Sequence, residues 1–166
     1  MLSKLKKNNK GGFTIIEVMI VLAIAGLIML IVFLAVPALQ RSARNTQRKN
    51  EAAQVAAAVA SYISNNGGSL PGAVAADANA GVVDLCGANC SAGNKETAKL
   101  GYYSNANFSI ISSASPVYPD TEHIVIDKGY TCDTTNTSVG PVSARSAVIL
   151  YATETGSGNA VQCVEQ

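Results

Sequence analysis

The chain has 166 residues, a length that suits one domain plus an appendage. Hydrophobic residues make up 48% and charged residues 14%, which excludes a highly charged disordered chain, and the net charge of +1 offers no basic bulk for nucleic acid. That balance hides an asymmetry: residues 1–49 hold eight of the twelve Lys and Arg and one acid, for +7, whereas residues 50–166 hold four bases and ten acids, for −6.

Lys4, Lys6, Lys7 and Lys10 precede an unbroken run of nineteen apolar residues, Val18 to Val36. At about 1.5 Å per residue, a helix over this run spans roughly 28 Å, close to a bilayer core. A soluble helix of that length shows a polar face, and this run has none. A basic start and an apolar stretch also describe a secretory signal peptide. The run is longer than a signal-peptide core, however, and Ala35-Val36-Pro37-Ala38 puts a proline where cleavage would be sought, so the segment is expected to stay. Flanking charge does not orient it, because four bases lie on each side. The cysteines of the C-terminal part favour placing that side outside the cytosol. Glu17 opens the run, and a carboxylate there either reaches the headgroups or finds a cation in another subunit.

The stretch Lys10-Gly11-Gly12-Phe13-Thr14-Ile15-Ile16-Glu17-Val18-Met19-Ile20-Val21-Leu22-Ala23-Ile24-Ala25-Gly26 resembles the N-terminal signature of type IV pilins and type II secretion pseudopilins. The resemblance is strong over residues 10–50 and weak beyond. It implies that a prepilin peptidase cuts between Gly12 and Phe13 on the cytoplasmic side, that residues 1–12 are a leader that is lost, and that the new amino group of Phe13 is N-methylated. It also resolves the orientation, with the leader inside and the globular part outside. Cleavage would create a cation at Phe13 that the Glu17 carboxylate can pair with as the subunit leaves the membrane, and in a low dielectric that pair penalises a wrong axial register. Thr14 adds a hydroxyl at the same terminus. Gly26 matches a glycine usual in the family's helix, whereas Pro37 lies three residues farther from the cleavage site than the usual proline. Pilin helices of this family often unwind between those two positions in filaments. The resemblance places such a break at Gly26–Pro37, and a simple kink at the membrane exit is the other reading.

From Ala38 the pattern turns amphipathic. Ala52, Val55, Ala56, Val59, Tyr62 and Ile63 form one helical stripe, Gln47, Glu51, Gln54, Ser61 and Asn65 fall on another face, and Ala53, Ala57 and Ala60 make a small-residue strip. Asn65-Asn66-Gly67-Gly68 is a stop signal. The helix is expected from about Thr14 to about Ser64, roughly 75 Å if unbroken, in two halves at residues 13–37 and 38–65. The cluster Arg41, Arg44, Arg48 and Lys49 reads as a solvated or headgroup-facing belt. Contact with acidic residues of neighbouring globular parts is the alternative, and nucleic-acid contact is a third for which this cluster is thin evidence.

Residues 66–107 are rich in Gly, Ala, Asn and Ser with little periodicity, which predicts a long irregular connection, the place of a variable surface loop in pilins. Strands are expected over Phe108–Ser112, His123–Asp127, Ala147–Ala152 and Ala160–Val164, with a hairpin turn over Thr153–Asn159. Residues 108–166 would then form a small antiparallel sheet under the helix, an α+β class and the pilin fold by resemblance.

Four cysteines, Cys86, Cys90, Cys132 and Cys163, allow three disulfide pairings. Cys86–Cys90 and Cys132–Cys163 are favoured, the second because a meander would return Cys163 to the sheet end that carries Cys132. The long pair resembles the C-terminal disulfide-bounded loop of type IV pilins. Chain entropy gives about 3.5–4 kcal/mol for the long loop and about 2 for the short one. A four-cysteine zinc site is the rival, and the spacing fits it poorly.

Nothing points to catalysis or a cofactor. The single histidine, His123, sits in an apolar strand pattern and reads as a strand-edge or core residue. Asn107-Phe108-Ser109 and Asn136-Thr137-Ser138 match the glycosylation pattern, which is common by chance. The expectation is a non-enzymatic subunit of an extracellular homo-oligomeric helical filament. It would reside in the lipid bilayer before an inner-membrane platform and its ATPase assemble it, and adhesion, twitching motility or DNA uptake would follow. A type II secretion pseudopilin is the first alternative, and a single-pass anchored protein that never polymerises is the second.

Overall fold

The computed structural model describes residues 11–77, 81–88, 90, 95–101, 108–111 and 118–166. The basic leader expected at residues 1–12 lies largely outside them, as does Asn107. The chain comprises two compact units, residues 1–40 and 41–166.

Helix α1 runs Ile15–Asn65, within two residues of the expected span. Its C-terminus is closed where the sequence placed the stop. Gly67 and Gly68 take φ of 63° and 87°, and the amides of Asn66 and Gly68 donate to the carbonyls of Tyr62 and Ile63 at 3.0 and 2.8 Å. Gly26 and Pro37 both lie inside the helix. Pro37 has no N–H, so the Phe33 carbonyl lacks its usual donor four residues on.

In the second unit, residues 66–107 are not the irregular connection that their composition predicts. They carry β1 (Ala73–Asp77), β2 (Val82–Cys86) and β3 (Glu96–Lys99), an antiparallel sheet in the order β1-β2-β3. Asp84 interrupts the apolar pattern of β2, and β3 has one apolar residue, Ala98, so neither strand shows the alternation that reveals a sheet. The Asp84 carboxylate instead ties the two strands, accepting from Lys95 Nζ at 2.7 Å and from the Thr97 hydroxyl at 2.5 Å. These partners, Lys95 first, hold its pKa below the usual carboxylate range.

The second sheet has β4 (Phe108–Ile111), β5 (Ile124–Cys132), β6 (Val139–Glu154) and β7 (Asn159–Glu165) in the order β4-β5-β6-β7. The ladders β5–β6 and β6–β7 are antiparallel as expected, but β4 runs parallel to β5, so the strands do not form a pure meander. His123 precedes β5 rather than joining it. It is 45% exposed and its Nδ1 meets the Asp120 carboxylate at 2.5 Å, so it sits at the edge of the strand and not in the core. Strand β6 begins eight residues before the expected Ala147, through a stretch with Gly140 and Pro141 whose residues are mostly half-buried or exposed and show no apolar alternation.

The helical stripe Ala52, Val55, Ala56 and Val59 packs on Val83, Leu85, Ile124, Ile126, Ile149 and Tyr151, so both sheets contribute to one core. Ile124 and Ile126 of β5 and Ala147, Ile149 and Tyr151 of β6 supply the covered face, since successive side chains of a strand point to opposite sides. The other face of the second sheet carries a smaller cluster, Val125, Val148, Leu150 and Cys163.

Both favoured disulfides form, with Cα atoms 5.2 Å apart for Cys86–Cys90 and 5.8 Å for Cys132–Cys163. The reason for the second is not the shared sheet end inferred from the meander. Cys163 sits mid-strand opposite Leu150, and Cys132 reaches it from a hairpin arm that folds back over the sheet.

Candidate processing and assembly site

Gly11 to Thr14 are non-helical and exposed, and α1 begins at Ile15. Nothing lies within 4 Å of where a side chain on Gly11 or Gly12 would sit, and Phe13 is 90% exposed. The Gly12–Phe13 bond therefore lies on open, irregular chain immediately before the helix, the form in which a peptidase can take a backbone.

Thr14 and Glu17 make that boundary. The Thr14 amide and hydroxyl both donate to Glu17 Oε2 at 2.8 Å, and the Glu17 amide donates to the Thr14 hydroxyl at 3.3 Å. This reciprocal arrangement is a capping box, with Thr14 as the N-cap and Glu17 three residues inside. It satisfies amides that no helical carbonyl can reach, and it places a negative charge at the positive end of the helix dipole. The T-x-x-E spacing is the sequence signal for this cap. The carboxylate that would meet a new ammonium on Phe13 is thus already folded back to within one residue of it.

Beyond this cap, Val18 to Val36 are all exposed, with Leu22 at 65% and Phe33 at 73%. The segment lies in a helix long and apolar enough to cross a membrane. Burying such a stripe is favourable at about 25 cal/mol per Å² of apolar surface, whether the cover is lipid or other helices.

The basic cluster does not form the belt that the sequence suggests. Arg44 grips the Glu154 carboxylate with Nε at 3.0 Å and Nη2 at 2.6 Å, and Arg48, only 1% exposed, adds Nη2 at 2.8 Å. These guanidinium hydrogen bonds, Arg44 first, pull the Glu154 pKa down to about 2. The acid that meets Arg44 and Arg48 belongs to the same chain. Arg41 is half-buried and Lys49 is exposed. Glu51, assigned to the polar face, is buried and accepts from the Gly101 amide at 2.9 Å and from Gln47 at 3.1 Å. The spacing of Arg44, Asn45 and Arg48 on one helical face was the available signal, and the partner more than a hundred residues away was not.

Among the described residues no group of three His, Cys, Asp or Glu could hold a metal ion. No curated protein and no solved structure matches the chain. Residues 7–33 match the family described as the prokaryotic N-terminal methylation motif. The match covers the leader junction, the capping box and most of the apolar run. The chain therefore carries the signature shared by type IV prepilins and pseudopilins and is of the kind that a prepilin peptidase processes.

Proposed function

We propose that this chain is a structural, non-catalytic subunit of an extracellular type IV pilus. In this reading prepilin peptidase cuts Gly12–Phe13, Phe13 is N-methylated, and the mature chain waits in the cytoplasmic membrane with its C-terminal part outside. An assembly platform driven by an ATPase then moves it from lipid into a homo-oligomeric filament. The observation that supports this best is the placement of the methylation motif. Its scissile bond is open, its glutamate caps the helix start, and a wholly apolar and exposed helical stripe follows at once. A stripe with no polar face has two covers available, lipid and copies of itself, and a filament core supplies the second.

Pseudopilins share the motif, so the motif does not separate a long pilus from a short secretion piston. The disulfide Cys132–Cys163 favours the pilus, because an extracellular fibre exposed to shear and proteases gains from a covalently closed C-terminal region. Purified surface fibres whose subunits begin at N-methylated Phe13 are the expected result. Subunits found only with an intact Gly12–Phe13 bond, under conditions where export is active, overturn the reading. Processed subunits without visible long fibres support the pseudopilin instead.

A further inference from the structure

The hairpin between β5 and β6 is a strap. Up to Lys128 opposite Ala147 the ladder is regular; then Tyr130 pairs with Val142 and Cys132 with Val139, so that Gly129 alone faces Ser143 to Ser146. Unequal strand lengths bend a ladder sharply, and Gly129 takes φ of 84°, which a residue with a side chain rarely adopts. The bent arm lies back on the sheet face away from the helix, where Tyr130, Cys132 and Val139 pack on Val125, Val148, Leu150 and Cys163. Its tip reaches edge strand β7. The Cys163 amide donates to the Asn136 carbonyl at 2.8 Å, the Cys132 amide donates to Glu165 Oε2 at 3.1 Å, and the Cys132–Cys163 disulfide pins the contact.

Asp127 lies at the root of this strap. It alternates with Val125 onto the strapped face and sits beside Val148 and Ile111 in the neighbouring strands. Its side chain is 0% exposed, and neither carboxylate oxygen has a hydrogen-bond partner among the described residues; the Ser146 hydroxyl, in the bend, is in the same condition. A buried carboxyl without partners is far cheaper to hold protonated than ionised. Burial accordingly raises its pKa. Among the described residues no cation relieves it. In its own row the ionisable group is Glu165, one strand beyond Val148 and of like charge. The strap offers Tyr130 and, at its tip, Asp133, which Thr135 and the amides of Thr137 and Ser138 already engage. Lys128 alternates to the opposite face, Arg145 is exposed, and β4 has no ionisable residue.

We propose that the Cys132–Cys163 pin and Asp127 form a coupled device: the pin keeps the strap shut over a carboxyl whose ionisation would otherwise open it at neutral pH. Without the pin, the closed strap binds a proton that the open strap releases. Closure is then complete below the ordinary aspartate pKa of about 3.9 and is lost as pH rises through the raised value in the closed state. With the pin, the strap stays shut across that range. The C-terminal region so becomes stable at neutral pH only after the disulfide has formed, which makes oxidation a precondition for a protease-resistant subunit surface. The device does not depend on the filament reading.

The test uses the full chain in detergent micelles with Cys132→Ala/Cys163→Ala, which leaves Cys86–Cys90 intact, and follows hydrogen exchange of the residue 163 amide, the donor to Asn136. After correction for intrinsic exchange, its protection falls up to about tenfold per pH unit above pH 4 and then levels off. Asp127→Asn in the same background removes the fall, and the pinned chain shows none. Protection independent of pH in the unpinned chain, or a fall that survives Asp127→Asn, overturns the proposal. A double variant that does not fold leaves a second measurement. In the pinned chain Asp127→Asn raises unfolding free energy more at pH 7 than at pH 4, and an equal effect at the two pH values overturns the coupling.

Discussion

Asn45 and Glu154 hold each other through two reciprocal hydrogen bonds, Asn45 Nδ2 donating to the Glu154 carbonyl at 2.8 Å and the Glu154 amide donating to Asn45 Oδ1 at 2.8 Å. An amide side chain that mimics a strand partner in this way ends β6 as another strand would, from the side of the helix. The same Asn45 oxygen accepts from Arg48 Nη1 at 3.1 Å, so backbone, carboxylate and guanidinium are locked together. The helix cannot rotate on the sheet without breaking all three.

This network predicts an order of costs. Arg44 is 42% exposed on its side chain, so solvent screens its ion pair, and Arg44→Met costs less than about 1 kcal/mol. Arg48 is buried, and Glu154→Gln leaves it without the carboxylate it faces, at a cost of about 2–3 kcal/mol, the scale of hydrogen bonds to charged groups. Urea denaturation of the three proteins at pH 7 checks the order. A larger loss for Arg44→Met than for Glu154→Gln removes Arg48 as the anchoring partner.

Acid weakens the fold through identifiable groups. Glu154 and Asp133 both titrate at about 2 in the folded chain, Glu154 because of its arginines and Asp133 chiefly because of the Thr135 hydroxyl, with the Ser138 and Thr137 amides assisting. Their folded pKa values lie below the unfolded ones, near 4 for carboxylates. The stability they contribute is therefore present above about pH 4 and is lost as pH falls towards 2. The urea midpoint is expected to drop over that interval, and Glu154→Gln should flatten the drop. An unchanged acid limb in Glu154→Gln would assign the acid sensitivity to other groups.

What was legible in the sequence divides along physical lines. Local signals gave α1 at both ends, because the apolar run, the alanine-rich stripe and the Asn-Gly stop each act within a few residues. Strands β5 to β7 were legible where β-branched residues run together. Strands β1 to β3 were not, because Asp84 and the polar sequence of β3 hide their alternation, and a sheet held by Asp84, Lys95 and Thr97 needs no apolar period. The parallel pairing of β4 and the burial of Arg48, Glu51 and Asp127 depend on residues far apart in the chain. For Asp127 the run His123-Ile124-Val125-Ile126-Asp127 marked a strand, but which face a strap would cover was written in the unequal arms of the β5–β6 hairpin. The candidate processing junction was the most legible part, since Gly12, Phe13, Thr14 and Glu17 lie within a single turn.

In the proposed filament Glu17 has two separable roles, the helix cap and the charge partner of Phe13, and one substitution distinguishes them. Glu17→Gln keeps an acceptor for the Thr14 amide and hydroxyl, so the capping box survives while the charge is lost. Glu17→Val removes both. Both variants are expected to insert and to be cleaved at Gly12–Phe13, as seen by intact mass, and neither is expected to yield filaments, because the ammonium of Phe13 then lacks its carboxylate. Normal filaments from Glu17→Gln cells would place the requirement on the cap, and normal filaments from Glu17→Val cells would remove both roles.

At Gly140 the two arms of the strap run close together. A Cβ built there would lie 2.6 Å from the Cys132 carbonyl oxygen, 2.9 Å from its carbon and 3.1 Å from the Asp133 amide, all of them backbone atoms that cannot swing aside. Gly140→Ala must therefore push the two arms of the hairpin apart beside the cysteine that pins it, a strain of about 1–3 kcal/mol on the scale of overpacked interiors. Because the displaced residue is Cys132 itself, the loss should also show as incomplete Cys132–Cys163 pairing, read by thiol labelling and mass spectrometry of the peptide pair. Val142→Ala, two residues farther along the same arm at a side chain 78% exposed, is the control and should change stability by less than about 0.5 kcal/mol with full pairing. Full pairing and unchanged stability in Gly140→Ala would mean that the strap has room to spare at its base.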